Sequence, residues 1–514
     1  MFTGFEFLKS KRIQWVLFTV SWILGTLFVA LLVFSPYMVC NNDEAYLKGH
    51  TPLLYKGETV HRNAAQHLPL TAAPEANSLK FIGILLIVIL LSFLLERFVY
   101  YFYARIYKNI KYFVLTYFVI VVVLIIAKFL QMAPLVPETL YLPYVVPIAV
   151  ISITISILVT PNVSLLCGTI ASVLVTLLFK GSLDVFLYLF LSSCVGTFVS
   201  YRRYRRNETI LSGHVLGLFQ AVLVVVFGLF NQITDPFWYT VNCGLGFCGG
   251  VLSAMISLGL LPYLEMAFRI TTHHSLLELS DLSHPLLKKL MVTAPGTYQH
   301  SLMVGNLAEA AAEAVGADPI LARVGAYFHD IGKMKRPLFF TENQVGQNPH
   351  HGLSPRMSKL IIASHVRDGL ELADIYKLPP ILKSFIAQHH GTTLVSFFFT
   401  QAIQTEHIKS PELEKDAFRY PGPKPQFKEA GILMLADSVE AAIRSMEKTT
   451  FAKIEAMIDK IFKHKLDDNQ FDDCPLTLKE IHTIRETFLS LFRGIYHARI
   501  DYEDEIKSLA QRPD

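Results

Sequence analysis

Apolar residues fill the first half of the chain in runs of roughly 20, the length an α-helix needs to cross a bilayer. Such runs lie at 15–38, 80–102, 112–132, 140–160, 163–179, 182–200, 209–231 and 236–264, one span followed after a gap by seven. The 163–179 and 182–200 runs are short and joined by only Lys180 and Gly181, which predicts a tight helical hairpin. From about residue 270 the pattern changes to charged, amphipathic segments with a helical period and no alternating, strand-like run. The expected fold is all-α: a polytopic helical membrane domain followed by an all-helical domain. Its parts are an N-terminal segment and first helix (1–38), a short external loop (39–79), a seven-helix region (80–264), a linker (265–290) and a second domain (291–514).

Composition agrees with a membrane protein, since 52% of residues are hydrophobic and only 17% are charged. The net charge of +4 arises largely from basic clusters beside apolar runs, which argues for membrane topology and against a nucleic-acid groove. Lys9, Lys11 and Arg12 precede the first run, Arg105, Lys108 and Lys111 follow the second, and Arg202, Arg203, Arg205 and Arg206 follow the sixth. All three clusters fall on one side of the bilayer, and eight crossings return the chain to that side at Arg269. The N-terminus and the whole C-terminal half are therefore expected in the cytoplasm. The first run is longer than a signal-peptide core and lacks a small-residue cleavage site, so it reads as an uncleaved anchor. Lys128, near an outer helix end, reads as a snorkelling residue. Six scattered cysteines form neither a disulfide framework nor a zinc knuckle.

In the second half, His300, Val304, Leu307, Ala311 and Val315 share one stripe of a helix that Gly316 terminates, and Asp318-Pro319 starts the next as N-cap and first-turn proline. That helix runs to His329 and Asp330. Ser354-Pro355 opens a helix with Met357, Ile361 and His365 on one face, and Asp368-Gly369 is expected to end it. After Pro379-Pro380, Leu382 and Ile386 lead to His389 and His390, with Gly391 as the stop. A later helix carries five apolar residues, 432–436, up to Asp437. Two amphipathic helices near 451–465 and 477–499 are expected to lie outside, without chemistry.

His300, His365, His389 and His390 each lie on or beside an apolar helical stripe, and Asp437 ends an apolar run, so several are expected to be buried together. A buried carboxylate is costly unless paired, hydrogen-bonded or metal-bound, and neutral imidazoles offer no countercharge except a cation. Metal is the economical explanation. Adjacent helical residues point about 100° apart, so the His329-Asp330 and His389-His390 pairs can each address two positions, and an aspartate can bridge two ions. Imidazole and carboxylate donors suit iron, manganese or zinc.

The order His300, His329-Asp330-Ile331-Gly332-Lys333, His365, His389-His390-Gly391, Asp437 resembles the HD metal-dependent phosphohydrolase superfamily. Residues 325–328, Arg336-Pro337, Glu342-Asn343-Gln344 and 435–442 look, more narrowly, like the seven-transmembrane HD phosphodiesterases of the PgpH type. The resemblance implies a bacterial, multi-pass protein of the cell (inner) membrane with its HD domain in the cytoplasm, hydrolysing cyclic di-AMP to pApA. It implies two divalent ions, iron or manganese, one on His300, His329, Asp330 and Asp437 and the other on Asp330, His365, His389 and His390. With them a water-derived nucleophile attacks the phosphate in line. Lys333, one helical turn beyond Asp330, is the expected phosphate partner, and Arg336 and Arg444 are further substrate-binding candidates. The partners implied are the cyclic dinucleotide and the lipid bilayer, with no nucleic-acid polymer, and a homodimer is compatible with this reading. The external segment departs from the family pattern, being a short loop where a folded sensor domain is usual. Gly391-Thr392 after the paired histidines, and Tyr420-Pro421 without a preceding glycine, set the chain apart from the HD-GYP enzymes of cyclic di-GMP, and residues 419–423 read as a loop. An HD hydrolase of another nucleotide, and a nucleotide-binding receptor without turnover, are the alternatives.

Overall fold

A computed structural model describes residues 23, 25–34 and 73–497, apart from 108, 134–139, 181, 202, 204, 406–413 and 447–449. The basic cluster at Lys9, Lys11 and Arg12, Arg202 of the later cluster, and the expected loop up to residue 72 lie outside the described residues. The chain divides into two compact units, Met1–Thr272 and His273–Asp514.

The first unit is a bundle of apolar helices: α1 (Gly25–Phe34), α2 (Ala73–Phe102), α3 (Ile110–Gln131), α4 (Ala149–Leu158), α5 (Pro161–Leu178), α6 (Leu183–Ser200), α7 (Arg206–Phe230) and α8 (Pro236–Phe268). Six of these, α2, α3 and α5 to α8, are long and apolar enough to cross a membrane. The 140–160 run corrects the expectation of a continuous span. It folds as a 3₁₀ turn, Leu142–Val145, and then the ten-residue α4. Pro143 and Pro147 account for the break, because each lacks an amide hydrogen and its ring clashes with the preceding turn. Irregular backbone in an apolar bundle must be satisfied by protein. Here Tyr188 donates its hydroxyl to the Tyr144 carbonyl (2.9 Å), and the Asn242 side chain accepts from the Tyr141 amide (2.8 Å). Small residues let α7 and α8 touch: a Cβ on Gly250 would lie 2.4 Å from the Gly217 nitrogen. Ser152 and Ser193 hydroxyls (2.5 Å), and Ser164 and Thr197 (2.8 Å), link helices through the interior.

The second unit is helical throughout, with one isolated bridge, Leu394 to Arg419, among the described residues. Residues 265–290, read from sequence as a linker, include α9 (His273–Leu279) and the start of α10 (Pro285–Thr293), whose Leu276, Leu286, Leu287 and Leu290 enter the core. The central layer is α11 (Pro295–Ala314), α12 (Pro319–Phe328), α13 (Pro355–Ile375), α14 (Pro380–Gln388) and α16 (Lys428–Arg444), with α15 (Ser396–Thr405) at one side. Asp318 caps α12, its carboxylate accepting from the Leu321 amide at 3.0 Å, and Ser354 caps α13. Asp368-Gly369 does not end α13, which runs on to Ile375. Glycine serves packing there: a Cβ on Gly332 would lie 2.5 Å from the Gly369 nitrogen, so the turn after Asp330 sits directly on α13. The last two helices, α17 (Phe451–Asp467) and α18 (Leu478–His497), are not peripheral as expected. Ile454, Ile458, Ile484 and Phe488 are all at 0% exposure and complete the core.

Candidate metal centre and cleft

α12 ends at Phe328, and the chain turns through His329 and Asp330 into a 3₁₀ segment, Ile331–Lys335. Lys333 is therefore not one α-turn beyond Asp330. It lies on a tighter turn, its amide bonded to the Asp330 carbonyl at 3.0 Å, and this still places its ammonium 2.7 Å from Asp330 Oδ2. α11 delivers His300, α13 delivers His365, the end of α14 delivers His389 and His390, and α16 delivers Asp437.

These seven residues converge in two groups that share one aspartate. Ligand atoms of His300, His329, Asp330 and Asp437 lie within 4.8 Å of one another, as do those of Asp330, His365, His389 and His390. The Asp330 carboxylate divides between the groups. Oδ2 faces His329 Nε2 (3.2 Å) and His300 Nε2 (3.7 Å), and Oδ1 faces His365 Nε2 (3.4 Å) and His389 Nε2 (3.6 Å). Asp437 Oδ1 stands 3.0 Å from His300 Nε2, and its Oδ2 is 3.6 Å from His390 Nδ1.

The far side of each ring shows how the imidazoles are oriented. His329, His365 and His389 donate Nδ1–H to the carbonyls of Ala326 (2.6 Å), Ile362 (2.6 Å) and Ile386 (2.9 Å), three residues earlier. His300 Nδ1 is held by the Glu440 carboxylate. All four Nε2 atoms therefore point inward, the outer-shell arrangement that fixes imidazole ligands on a metal. In the neutral tautomers, His365 and His389 would oppose two lone pairs at 3.2 Å, a contact that favours a cation between them. His329 Nε2 and Asp330 Oδ1 are buried without a hydrogen-bond partner. Orphaned atoms of this kind, in a nitrogen and oxygen donor set, fit divalent metal.

Electrostatics point the same way. Burial works against ionising Asp330, but the neighbouring His329 and Lys333 charges outweigh it and hold the carboxyl well below the usual range. Asp437 is likewise held well below its ordinary value, burial being overcome by the hydrogen bond from His300 and by the nearby His329 imidazole. Burial pushes His365 down to about 4, and burial together with His389 keeps His390 well below the ordinary imidazole value. Two ionised carboxylates thus sit beside His365 and His390, whose lone pairs are free. His329 is pushed up to about 10, burial opposing and Asp330 prevailing, so a proton competes with any metal at that nitrogen.

His300, His365, His390 and Asp437 of the cluster line a cleft of about 740 Å³. Its walls include Lys333, Phe340, His350, Phe397, Phe398, Tyr420 and Arg444. Of the three expected substrate-binding residues, Lys333 and Arg444 line this cleft. Arg336 lines a neighbouring groove instead, with Nη1 3.3 Å from Ser364 Oγ. His350 is no member of the cluster; its Nε2 meets the Phe339 carbonyl at 3.0 Å. Sequence reasoning missed three residues. Glu440 was legible in principle, since Asp437 and Glu440 are three apart on one helix and share a face. Glu342, 2.8 Å from the Lys333 ammonium, comes from a three-residue 3₁₀ turn, and Tyr420, stacked on His390 with centroids 4.2 Å apart, from an irregular segment, neither with such a signal.

Residues 78–272 match the family described as "7TM receptor with intracellular HD hydrolase", and residues 297–442 match the HD domain. The cyclic-di-AMP phosphodiesterase PgpH of Bacillus subtilis (strain 168) is 36% identical over 485 residues, 91% of this chain and 67% of that protein. The chain belongs to the PgpH family. The cyclic-di-AMP phosphodiesterase PgpH of Listeria monocytogenes serotype 1/2a (strain 10403S) is 44% identical over 303 residues, 59% of this chain but 42% of that protein. A crystal structure of the L. monocytogenes PgpH HD domain in complex with cyclic-di-AMP shares 48% identity at a TM-score of 0.40, covering 43% of this chain and all of that one.

Proposed function

We propose that this chain is a membrane-bound, metal-dependent phosphodiesterase that hydrolyses cyclic di-AMP to pApA and so controls the level of that second messenger. One observation carries the reading: six histidine and aspartate side chains converge on a buried, shared Asp330, and four of them, His300, His365, His390 and Asp437, line a cleft of about 740 Å³. Two relatives in the same family carry the name cyclic-di-AMP phosphodiesterase.

His300, His329, Asp330 and Asp437 would hold one divalent ion, and Asp330, His365, His389 and His390 the other, with iron or manganese suited to the donors. Bound there, the pair would activate water and offset charge on the scissile phosphate. The charge of the site favours two ions. Asp330, Asp437, Glu342 and Glu440 are opposed by Lys333, which pairs with Asp330 and Glu342, and by Arg444, 3.4 Å from Glu440, so four carboxylates face two fixed cations. One divalent ion would do no more than balance that excess, whereas two would make the centre positive and attractive to a phosphodiester. Lys333 lies between Asp330 and Glu342; burial disfavours its charge, but Asp330 and Glu342 prevail and raise its pKa. It therefore presents a fixed positive charge to the cleft and does not accept a proton. Arg444, on the cleft wall, is a second candidate for phosphate, and Arg336 would act only on substrate reaching the adjoining groove. The aromatic walls offer flat apolar surface to adenine rings.

We assign residues 1–38 to an N-terminal anchor, the segment from 39 to the start of α2 at Ala73 to an external loop, α2 to α8 to the membrane region, and the unit from His273 onward to the catalytic domain. The protein would lie in a bacterial cell membrane with the HD domain on the cytoplasmic side, where a cyclic dinucleotide made from ATP is found. A homodimer is compatible with this assignment. The test incubates the full-length chain in detergent with manganese or ferrous iron and cyclic di-AMP. Formation of pApA, abolished by chelator, is expected. Release of nucleoside and triphosphate from a dNTP, with cyclic di-AMP untouched, would replace the assignment by a mononucleotide hydrolase. Tight binding of cyclic di-AMP without turnover would make the chain a receptor.

A further inference from the structure

Residues 465–470 lie beyond the segment that matches the HD domain, at the junction between α17 and α18, yet they hold the loop that follows His390. Lys465, only 6% exposed, donates its ammonium to Thr393 Oγ1 at 3.1 Å, and the Thr393 hydroxyl donates to the His390 carbonyl at 2.6 Å. Gln470, at 0% exposure, accepts from the Thr392 amide (2.9 Å) and donates to the Thr392 hydroxyl (3.1 Å). Asp468 forms a two-pronged ion pair with Arg419, at 2.7 and 3.0 Å, and it also accepts from the Gln470 amide at 2.9 Å. Arg419 in turn donates to the Thr392 carbonyl at 2.7 Å. The next residue, Tyr420, donates its backbone amide to the Thr393 carbonyl at 3.0 Å and lays its ring on His390 at an interplanar angle of 28°.

The local backbone explains why such a hold is needed. Gly391 ends the α14 segment with φ +52, a left-handed conformation that lets the chain turn away directly after His390. A Cβ there would lie 2.5 Å from Gln470 Oε1, so the glycine also admits the Gln470 side chain against the turn. His390 is thus the last residue before a reversal, outside the α14 hydrogen-bond ladder, with about 20% of its side chain exposed, whereas His389 is fully buried. No Nδ1–H to carbonyl bond of the kind seen for His329, His365 and His389 is present at His390. Its orientation depends on Asp437, 3.6 Å from its Nδ1, on the loop behind it and on the tyrosine on its face. The platform beneath is rigid, because α17 and α18 bury Ile458, Phe462, Ile484 and Phe488 in the same core.

We propose that Lys465, Asp468 and Gln470 form a brace through which the α17–α18 hairpin positions His390, and with it Tyr420, so that the second metal group is complete only when this hairpin is docked. Asp468, through the planar fork of Arg419, is the principal positioning residue. The three do not touch the reacting atoms. This rests on His390 being a metal ligand, as assigned above.

The test uses full-length protein with Asp468→Asn, which keeps the shape and removes the charge, and Asp468→Glu as the conservative partner. Metal per chain and metal affinity are titrated with manganese, beside kcat and KM for cyclic di-AMP and thermal melting. In Asp468→Asn, one of the two ions is expected to bind up to about 10-fold more weakly, the low end of the loss that follows removal of a partner bonded directly to a ligand, since Asp468 acts through Arg419. The other ion is held as in the wild type, kcat falls in parallel, and Asp468→Glu recovers part of both. Gln470→Leu repeats the experiment from the other handhold should Asp468→Asn not fold. Folded variants that bind both ions with wild-type affinity and turn over normally would overturn the brace, leaving it a structural contact. Absence of metal binding in the wild type would instead overturn the metal assignment itself.

Discussion

Asp330 faces four imidazoles and an ammonium with its two oxygens, so at the scale of single residues it carries the greatest demand for a cation. Asp330→Ala is expected to abolish cyclic di-AMP hydrolysis and to lower bound manganese from two ions towards none, because it removes the oxygen donors common to both groups. Elemental analysis of the purified variant checks this, and two retained ions would refute the shared role. Glu440 acts one step further out. It orients His300 through Nδ1, and Glu440→Gln is expected to weaken metal at the His300 group by about 10-fold to 100-fold while leaving substrate KM nearly unchanged. Glu440 lies on a helix whose pattern was readable, and Asp330 directly follows one. Tyr420 and Glu342 were not readable, because one lies on irregular backbone and the other on a three-residue 3₁₀ turn, too short for a period to tie one residue to the next.

Elements place these residues by where they stop. α12 and α14 each end immediately before a His-Asp or His-His pair, so the paired side chains leave the helix and turn inward without breaking an interior hydrogen-bond ladder. The starts matter equally. Asp318 caps α12 and meets His273 Nε2 at 3.1 Å. Burial favours its neutral form, but the His273 contact and the Leu321 amide prevail and lower its pKa. A depressed carboxyl pKa contributes stability above its unfolded value, roughly 3.9, and loses that contribution as pH falls through the folded value. Asp318→Ala is therefore expected to cost about 1 kcal/mol at pH 7. The gap between variant and wild type should shrink below pH 4 or thereabouts, as followed by thermal melting across a pH series. A pH-independent gap would mean that the cap acts without its charge.

For the whole molecule, metal and folding are linked because the seven proposed ligands come from segments up to 137 residues apart in sequence. An ion that binds this assembled site and not the unfolded chain stabilises it by about 2.7 kcal/mol at a hundred times its dissociation constant. Adding manganese to chelator-treated protein should therefore raise the melting transition of the His273–Asp514 unit and leave that of the Met1–Thr272 unit unmoved. Scanning calorimetry in detergent with and without the metal separates the two. A shift of both transitions, or of neither, would contradict a metal centre confined to the second unit. In the membrane unit, buried serine and threonine pairs and facing glycines account for helix association where lipid supplies no hydrophobic drive.

Period and punctuation in the sequence determined the all-helical architecture, the change of character near residue 270, the caps at Asp318 and Ser354, the stop at Gly391 and the order of candidate ligands. These are local properties, written in neighbouring residues by the 3.6-residue repeat and by the φ preferences of glycine and proline. Only the tertiary structure decided that the 140–160 run is broken, that α13 passes through Gly369, that Asp330 divides its oxygens between two histidine groups, and that α17 and α18 reach back to the His390 loop. Those outcomes depend on which surfaces meet across long stretches of chain, and spacing along the sequence carries no measure of distance between elements that fold against one another.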